Sequence, residues 1–185
     1  MDNIKSHKRK IIAIAILLVI IVLAVSLLPW WRDINITLHG VQLRIGDNHS
    51  NHSIEEKTIT IQGRYWRYIF RADRFEGRIE IEGYDITLND LAWGISFPNN
   101  SNWGSMLSYL SPYGRRGFWT EHFGRIYTTP WFSSVVITVS EQRDHISSGW
   151  SSSDGIIIVA PANNIEQAAE IAKELTIWAD YVEWE

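Results

Sequence analysis

The chain has 185 residues, no cysteine and a net charge of −4 at neutral pH. That length suits one domain of ordinary size with an appendage and argues against two full domains. Without cysteine there is no disulfide, no thiolate metal site and no lipid-modified thiol. The charge is uneven: residues 1–30 carry +3 and the remainder −7. The larger, acidic part is a poor match for nucleic acid or for an anionic lipid surface.

In chain order, Lys5, Lys8, Arg9 and Lys10 precede an uncharged run from Ile11 to Leu28, in which Ser26 is the polar member. Eighteen helical residues rise about 27 Å, close to the roughly 30 Å of a bilayer core. Pro29, Trp30 and Trp31 close the run, and Trp favours membrane interfaces. The expectation is a single-pass protein of the cell membrane, divided into a cytoplasmic tail (1–10), a transmembrane anchor (11–31) and an extracytoplasmic domain (32–185). Its bilayer contact would be through residues 11–31. The alternative is a chain secreted after cleavage near Ser26, because Ala24-Val25-Ser26 has the spacing of a signal-peptide site.

Ile34, Ile36 and Leu38 alternate with polar residues, and after Gly40 the alternation resumes on the other parity at Val41, Leu43 and Ile45. This pattern predicts a strand with a bulge or bend at Gly40. Thr58 to Phe70 reads as a strand interrupted at Gly63. Phe75 to Glu82 reads as another, with Phe75, Gly77, Ile79 and Ile81 on one face. Leu91 to Phe97 is a further candidate strand. Pro98 to Gly117 reads mainly as loop, with a helical turn at Met106 to Leu110. Phe118 to Tyr127 and Ser134 to Val139 are predicted strands, separated from the next by a polar loop at Glu141 to Gly155. Gly155 to Ala160 lacks alternation, which predicts a central strand covered on both faces. Asn164 then caps a helix, with Gln167 in capping-box position. Ile165, Ala168, Ala169, Ala172, Leu175 and Ala179 form its apolar side. The predicted fold class is α+β: an N-terminal transmembrane helix, then an antiparallel β-meander packed against a C-terminal helix.

The run Phe75-Glu-Gly77-Arg-Ile79-Glu-Ile81-Glu-Gly83, preceded by Thr58-Ile59-Thr60-Ile61-Gln62-Gly63 and followed late by Ala160-Pro161-Ala162, resembles uncharacterised membrane-anchored proteins of Gram-positive bacteria. The resemblance implies location and architecture and brings no catalytic residue with it.

Chemical motifs are sparse. His49 and His52 have a spacing compatible with metal ligation but sit in a polar stretch, where a solvated loop is the simpler reading. Glu121-His122 fails as a dyad, since adjacent strand residues face opposite ways. Asp144-His145 fails similarly. Gly149-Trp150-Ser151-Ser152-Ser153 lacks the second glycine of a nucleophile elbow. Asp73, Glu76, Glu80 and Glu82 offer carboxylates for glycoside hydrolysis, but acids alternating with Arg more often form surface ion pairs. No cofactor motif is present, and no metal is expected.

The compositional excess is aromatic, with ten Trp. Trp93, Trp103, Tyr109, Tyr113, Trp119 and Trp131 crowd the loop-rich middle and form the candidate ligand-binding set, because Trp and Tyr supply rigid contact area. The competing reading is an aromatic core. The functional expectation is a membrane-tethered, extracytoplasmic, non-enzymatic binding domain with a cell-wall or protein partner. The alternatives are a cell-envelope hydrolase acting on glycan or peptide, and a structural accessory subunit of a membrane complex.

Overall fold

The computed structural model describes residues 2–46, 54–98, 104–111, 119–142, 148–182 and 184. Helix α1 runs Asp2–Leu27. The strands are β1 (Trp30–Ile45), β2 (Glu55–Arg67), β3 (Asp73–Ile81), β4 (Ile95–Phe97), β5 (Ser105–Ser111), β6 (Trp119–Thr128), β7 (Val135–Val139), two short strands β8 (Glu141–Gln142) and β9 (Ser148–Gly149), and β10 (Gly155–Ala160). Helix α2 (Ile165–Leu175) follows.

Eight strands form one antiparallel sheet in the order β4-β3-β2-β1-β10-β7-β6-β5. The sheet curls until its edges nearly meet. A bridge pairs Leu91 with Tyr109. The Ala92 N–H donates to Ser108 O, and the Leu110 N–H donates to Asp90 O, each at 3.0 Å. The chain is therefore predominantly an antiparallel near-barrel, which corrects the expected α+β meander-and-helix class. The reason lies in β5. Met106 to Leu110, expected as a helical turn in a loop, is extended and supplies the edge toward which β4 closes.

The expected anchor is also corrected. Among the described residues no helix is long and apolar enough to cross a membrane. The single-pass topology, and the cell-membrane location drawn from it, fall with the anchor.

Strand β1 explains the parity change at Gly40. Its pairing with β2 runs in one unbroken register from Trp30↔Arg67 to Gln42↔Glu55, so no bulge is present. Instead, the strand changes which face it buries. Ile34, Ile36 and Leu38 point into the barrel with Ile59, Ile61, Phe75, Ile79 and Tyr109. Val41, Leu43 and Ile45 point outward, under α2, with Ile157, Val159, Ala168 and Ala172. Gly40 sits at the changeover, where β1 passes close to β10. A Cβ there would lie 2.2 Å from Val159 O and 2.6 Å from the Ala160 Cβ.

Strand β10 is covered on both sides, as its uninterrupted apolar run requires. Ile158 and Ala160 face the barrel, and Ile157 and Val159 face α2. The helix is capped as its sequence signals: the Gln167 N–H donates to Asn164 Oδ1 at 2.9 Å, and the Asn163 N–H donates to Gln167 Oε1 at 3.0 Å. On β6 a bulge opposite Leu107/Ser108 leaves Phe123 unpaired. Phe123 turns inward and meets Tyr84 and Tyr109 edge-on, at 5.0 and 5.9 Å.

Replacing Gly40 with Ala forces β1 and β10 apart. The expected cost is about 2–3 kcal/mol of unfolding free energy, as for overpacking, read from the denaturant midpoint at unchanged slope.

Candidate ligand-binding site

The two ends of the barrel differ in chemistry. One end holds a cavity of about 980 Å³ bounded by the start of β1, the β2–β3 hairpin, the end of β4, the start of β5, the β6–β7 turn and the end of α2. Cross-strand register builds one wall of it. Trp30 lies opposite Arg67, and Arg32 lies opposite Tyr65. All four share the inward parity of Ile34 and Tyr65, so two aromatics and two cations alternate across one patch. Their neighbours of opposite parity point outward: Arg64 Nε donates to Asp33 Oδ1 at 2.9 Å and lies over the Trp31 ring.

Tyr65 forms the base of this wall and is 1% exposed. Its hydroxyl donates to Asp73 Oδ2 at 2.8 Å, and the Tyr68 N–H donates to Asp73 Oδ1 at 2.9 Å. Asp73 is itself buried, so these two bonds are what make an interior carboxylate tolerable. Burial pushes the Tyr65 hydroxyl well above its ordinary pKa, and the bond to Asp73 adds to that. Tyr65 is therefore a neutral donor at physiological pH.

The opposite wall is the β6–β7 turn. Trp131 (φ 67°, ψ 16°) and Phe132 (φ 58°) both adopt the left-handed conformation. For side-chain-bearing residues this costs roughly 1–2 kcal/mol each. Hydrogen bonds close the turn: the Thr129 N–H to Ser134 O at 3.1 Å, Thr128 Oγ1 to Ser134 O at 2.9 Å, and the Ser134 N–H to Thr129 Oγ1 at 2.8 Å. Burial of Phe132 offsets the strain. Its ring is fully buried and meets Tyr65, Phe75 and Phe97 edge-on at 5.6, 4.8 and 5.8 Å. Trp131 is thereby held at 5.0 Å from the Tyr65 ring, facing the cavity. Backbone strain of this kind clusters at functional sites.

The other end of the barrel is closed by a polar network. Gln42 accepts from the Tyr84 hydroxyl at 2.8 Å and donates to Glu55 at 3.1 Å. Lys57, 7% exposed, holds Glu55 and lies 5.6 Å from the Tyr84 ring. Arg44 joins Glu141 of β8 to Asp154 just before β10, at 2.5 and 2.9 Å. These contacts are internally satisfied, which favours a structural role. Burial, then the charges of Glu55 and Glu141, raise the Tyr84 pKa to about 12.

Of the six residues expected to bind a ligand, the structure brings one to the cavity, Trp131. Tyr109 is fully buried in the core, and its hydroxyl donates to Ile79 O at 2.7 Å. Trp93 and Trp119 are exposed, on other parts of the surface. Trp103 and Tyr113 lie outside the described residues, as do His49, His52, Asp144 and His145. Glu121 and His122 are exposed and do not line the cavity. Desolvation, then Arg125, lower the His122 pKa. Of the carboxylate set, Asp73 faces inward, whereas Glu76 sits on the outer parity and pairs with Arg74. The residues missed are Trp30, Arg32, Tyr65, Arg67, Tyr68 and Phe97. A signal existed for Trp30 and Arg32, which continue the inward parity of Ile34.

Replacing Tyr65 with Phe leaves the buried Asp73 short of a donor. The expected loss is about 1–3 kcal/mol of stability at neutral pH, measured by chemical denaturation. Alkaline titration gives a second check. Tyr65, Tyr84 and Tyr109 all ionise above their ordinary value in the folded chain. The stability they contribute is complete below about pH 10, the unfolded value, and falls as pH rises through the folded values, Tyr84 near 12 first. Phenolate absorbance at pH 11 should therefore be well below that of the denatured chain.

Comparison with protein-family models, with characterised proteins and with solved structures finds no match for this chain.

Proposed function

We propose that this chain is a non-enzymatic binding domain whose ligand sits in the open end of the barrel. The observation that carries the reading is the aromatic cavity itself. Its volume, about 980 Å³, is at the upper end of the roughly 300–1,000 Å³ usual for small-molecule sites. Phe97 and Trp131, packed on the buried Tyr65, give it flat apolar walls, and Trp30 and Tyr68 continue them to the rim. Such walls suit a ligand with a planar or ring-shaped body, held by stacking and area burial.

Two features support binding over turnover. The buried titratable pair of the wall is committed to itself: Asp73 accepts from Tyr65 and from the Tyr68 backbone. Of the acids first considered for hydrolysis, Asp73 alone reaches the cavity, without a second carboxylate of that set: Glu76, Glu80 and Glu82 lie on the outer parity of β3 and its end, and His122 is exposed on β6.

The test is equilibrium dialysis of the full chain against naphthalene-1-sulfonate and its uncharged isostere naphthalene-1-sulfonamide. Saturable one-to-one uptake of at least one of them is expected. Trp131→Ala should weaken it about threefold to tenfold, the worth of one aromatic wall, and Trp119→Ala should leave it unchanged. No saturable uptake of either compound by natively folded protein would overturn the reading.

A further inference from the structure

We infer that the cavity selects an anionic ligand, a ring-bearing phosphate, sulfonate or carboxylate, with Arg32 and Arg67 as a two-armed anion clamp; this rests on the binding reading above. The inference starts from how this fold treats four of its other arginines. Arg44 holds Glu141 and Asp154, Arg64 holds Asp33, Arg74 holds Glu76, and Arg78 holds Asp90. Among the described residues, Arg32 and Arg67 have no carboxylate within ion-pair distance, and both line the cavity. In an acidic chain, two cations left without acids at a pocket mouth stand out.

Their placement is set by the sheet. Arg32 pairs with Tyr65 in register, and Arg67 is two residues further along the same face of β2. They are diagonal cross-strand neighbours, about 7–8 Å apart at the backbone. Two long guanidinium arms from that spacing can converge on one anion, each offering a planar fork of donors. Without an anion the pair is a like-charge contact, which is mildly destabilising. A bound anion removes that repulsion and gains charge-assisted hydrogen bonds.

Two carboxylates also line the cavity and do not defeat the clamp. Asp73 already accepts from the Tyr65 hydroxyl and the Tyr68 N–H, one on each oxygen. Glu174 belongs to the far wall, at the end of α2. Tyr65 lies beside Arg32 and Trp30 beside Arg67, so the clamp and the aromatic wall would hold a ligand's charged group and its ring side by side.

The native protein supplies the first test. Naphthalene-1-sulfonate and naphthalene-1-sulfonamide differ in charge and little in shape. At low salt the sulfonate should bind about tenfold more tightly or better, the worth of one to two charge-assisted bonds. The preference should shrink toward unity near 1 M salt, where screening reaches about 3 Å. Inorganic phosphate should displace the sulfonate competitively. The Arg32→Gln/Arg67→Gln double variant should lose the preference while keeping sulfonamide affinity within about twofold. Both side chains are exposed, so its unfolding midpoint, measured alongside, should match the native one. Equal affinity for the two compounds in the native protein, or a preference that survives the double substitution, overturns the clamp and leaves the binding reading standing. Uptake of neither compound overturns both.

Discussion

The fold depends on the close passage of β1 against β10 at Gly40. There the backbone of one strand lies against Val159 and Ala160 of the other with no room for a side chain. One side of the crossing is the barrel interior and the other is the layer under α2. Strand β1 therefore serves two cores in succession: its first half lines the barrel and its second half supports the helix. With one face of each half spent on a core, the opposite faces are left for other chemistry. At the start of β1 the inward parity runs past the core into Trp30 and Arg32. Beyond Gly40 it continues as Gln42 and Arg44.

That division gives the barrel two unlike ends. At the Gln42–Arg44 end, charges meet one another at the half-exposed rim. Lys57 has Glu55, Arg44 has Glu141 and Asp154, and Gln42 links Tyr84 to Glu55. Such a network fixes the geometry of the strands it joins and leaves little to offer a partner. At the Trp30–Arg32 end the strands splay around a cavity, and the turn carrying Trp131 and Phe132 is held in a conformation that neither residue adopts freely. The fully buried Phe132 stabilises the turn, and the geometry of Trp131 follows from it.

Much of this was legible in the residues. The parity change at Gly40 was visible, although it marks a change of layer and not a bulge. The β2–β3 pair was visible too, and Gly63, expected as an interruption, instead faces Gly77 in unbroken register. The run Gly155 to Ala160 and the capped helix after it gave their positions directly, because β-branched runs and Asn/Gln caps have specific physical causes. What was not legible depended on distant pairing. Strand β5 reads as loop because Ser105, Ser108 and Ser111 dilute its apolar positions, and its strand character comes from β6. The wall of the cavity required the register that sets Trp30 against Arg67, which no local pattern contains. Two successive left-handed residues normally announce themselves as Asn or Gly, and Trp131-Phe132 gives no such sign. The apolar N-terminal run was over-read as an anchor, since among the described residues no helix is long and apolar enough to cross a membrane.

The filled interior below the mouth has one more consequence. Phe132, Phe75 and Tyr109 are fully buried in the barrel interior, and the polar network stands at its far end. Among the described residues the cavity therefore ends on a packed core. In the proposed reading an occupant would arrive and depart by the same opening, and anything attached to its outer end would stay in solvent. A vestibule of that shape accommodates the terminus of a long molecule and rejects its middle.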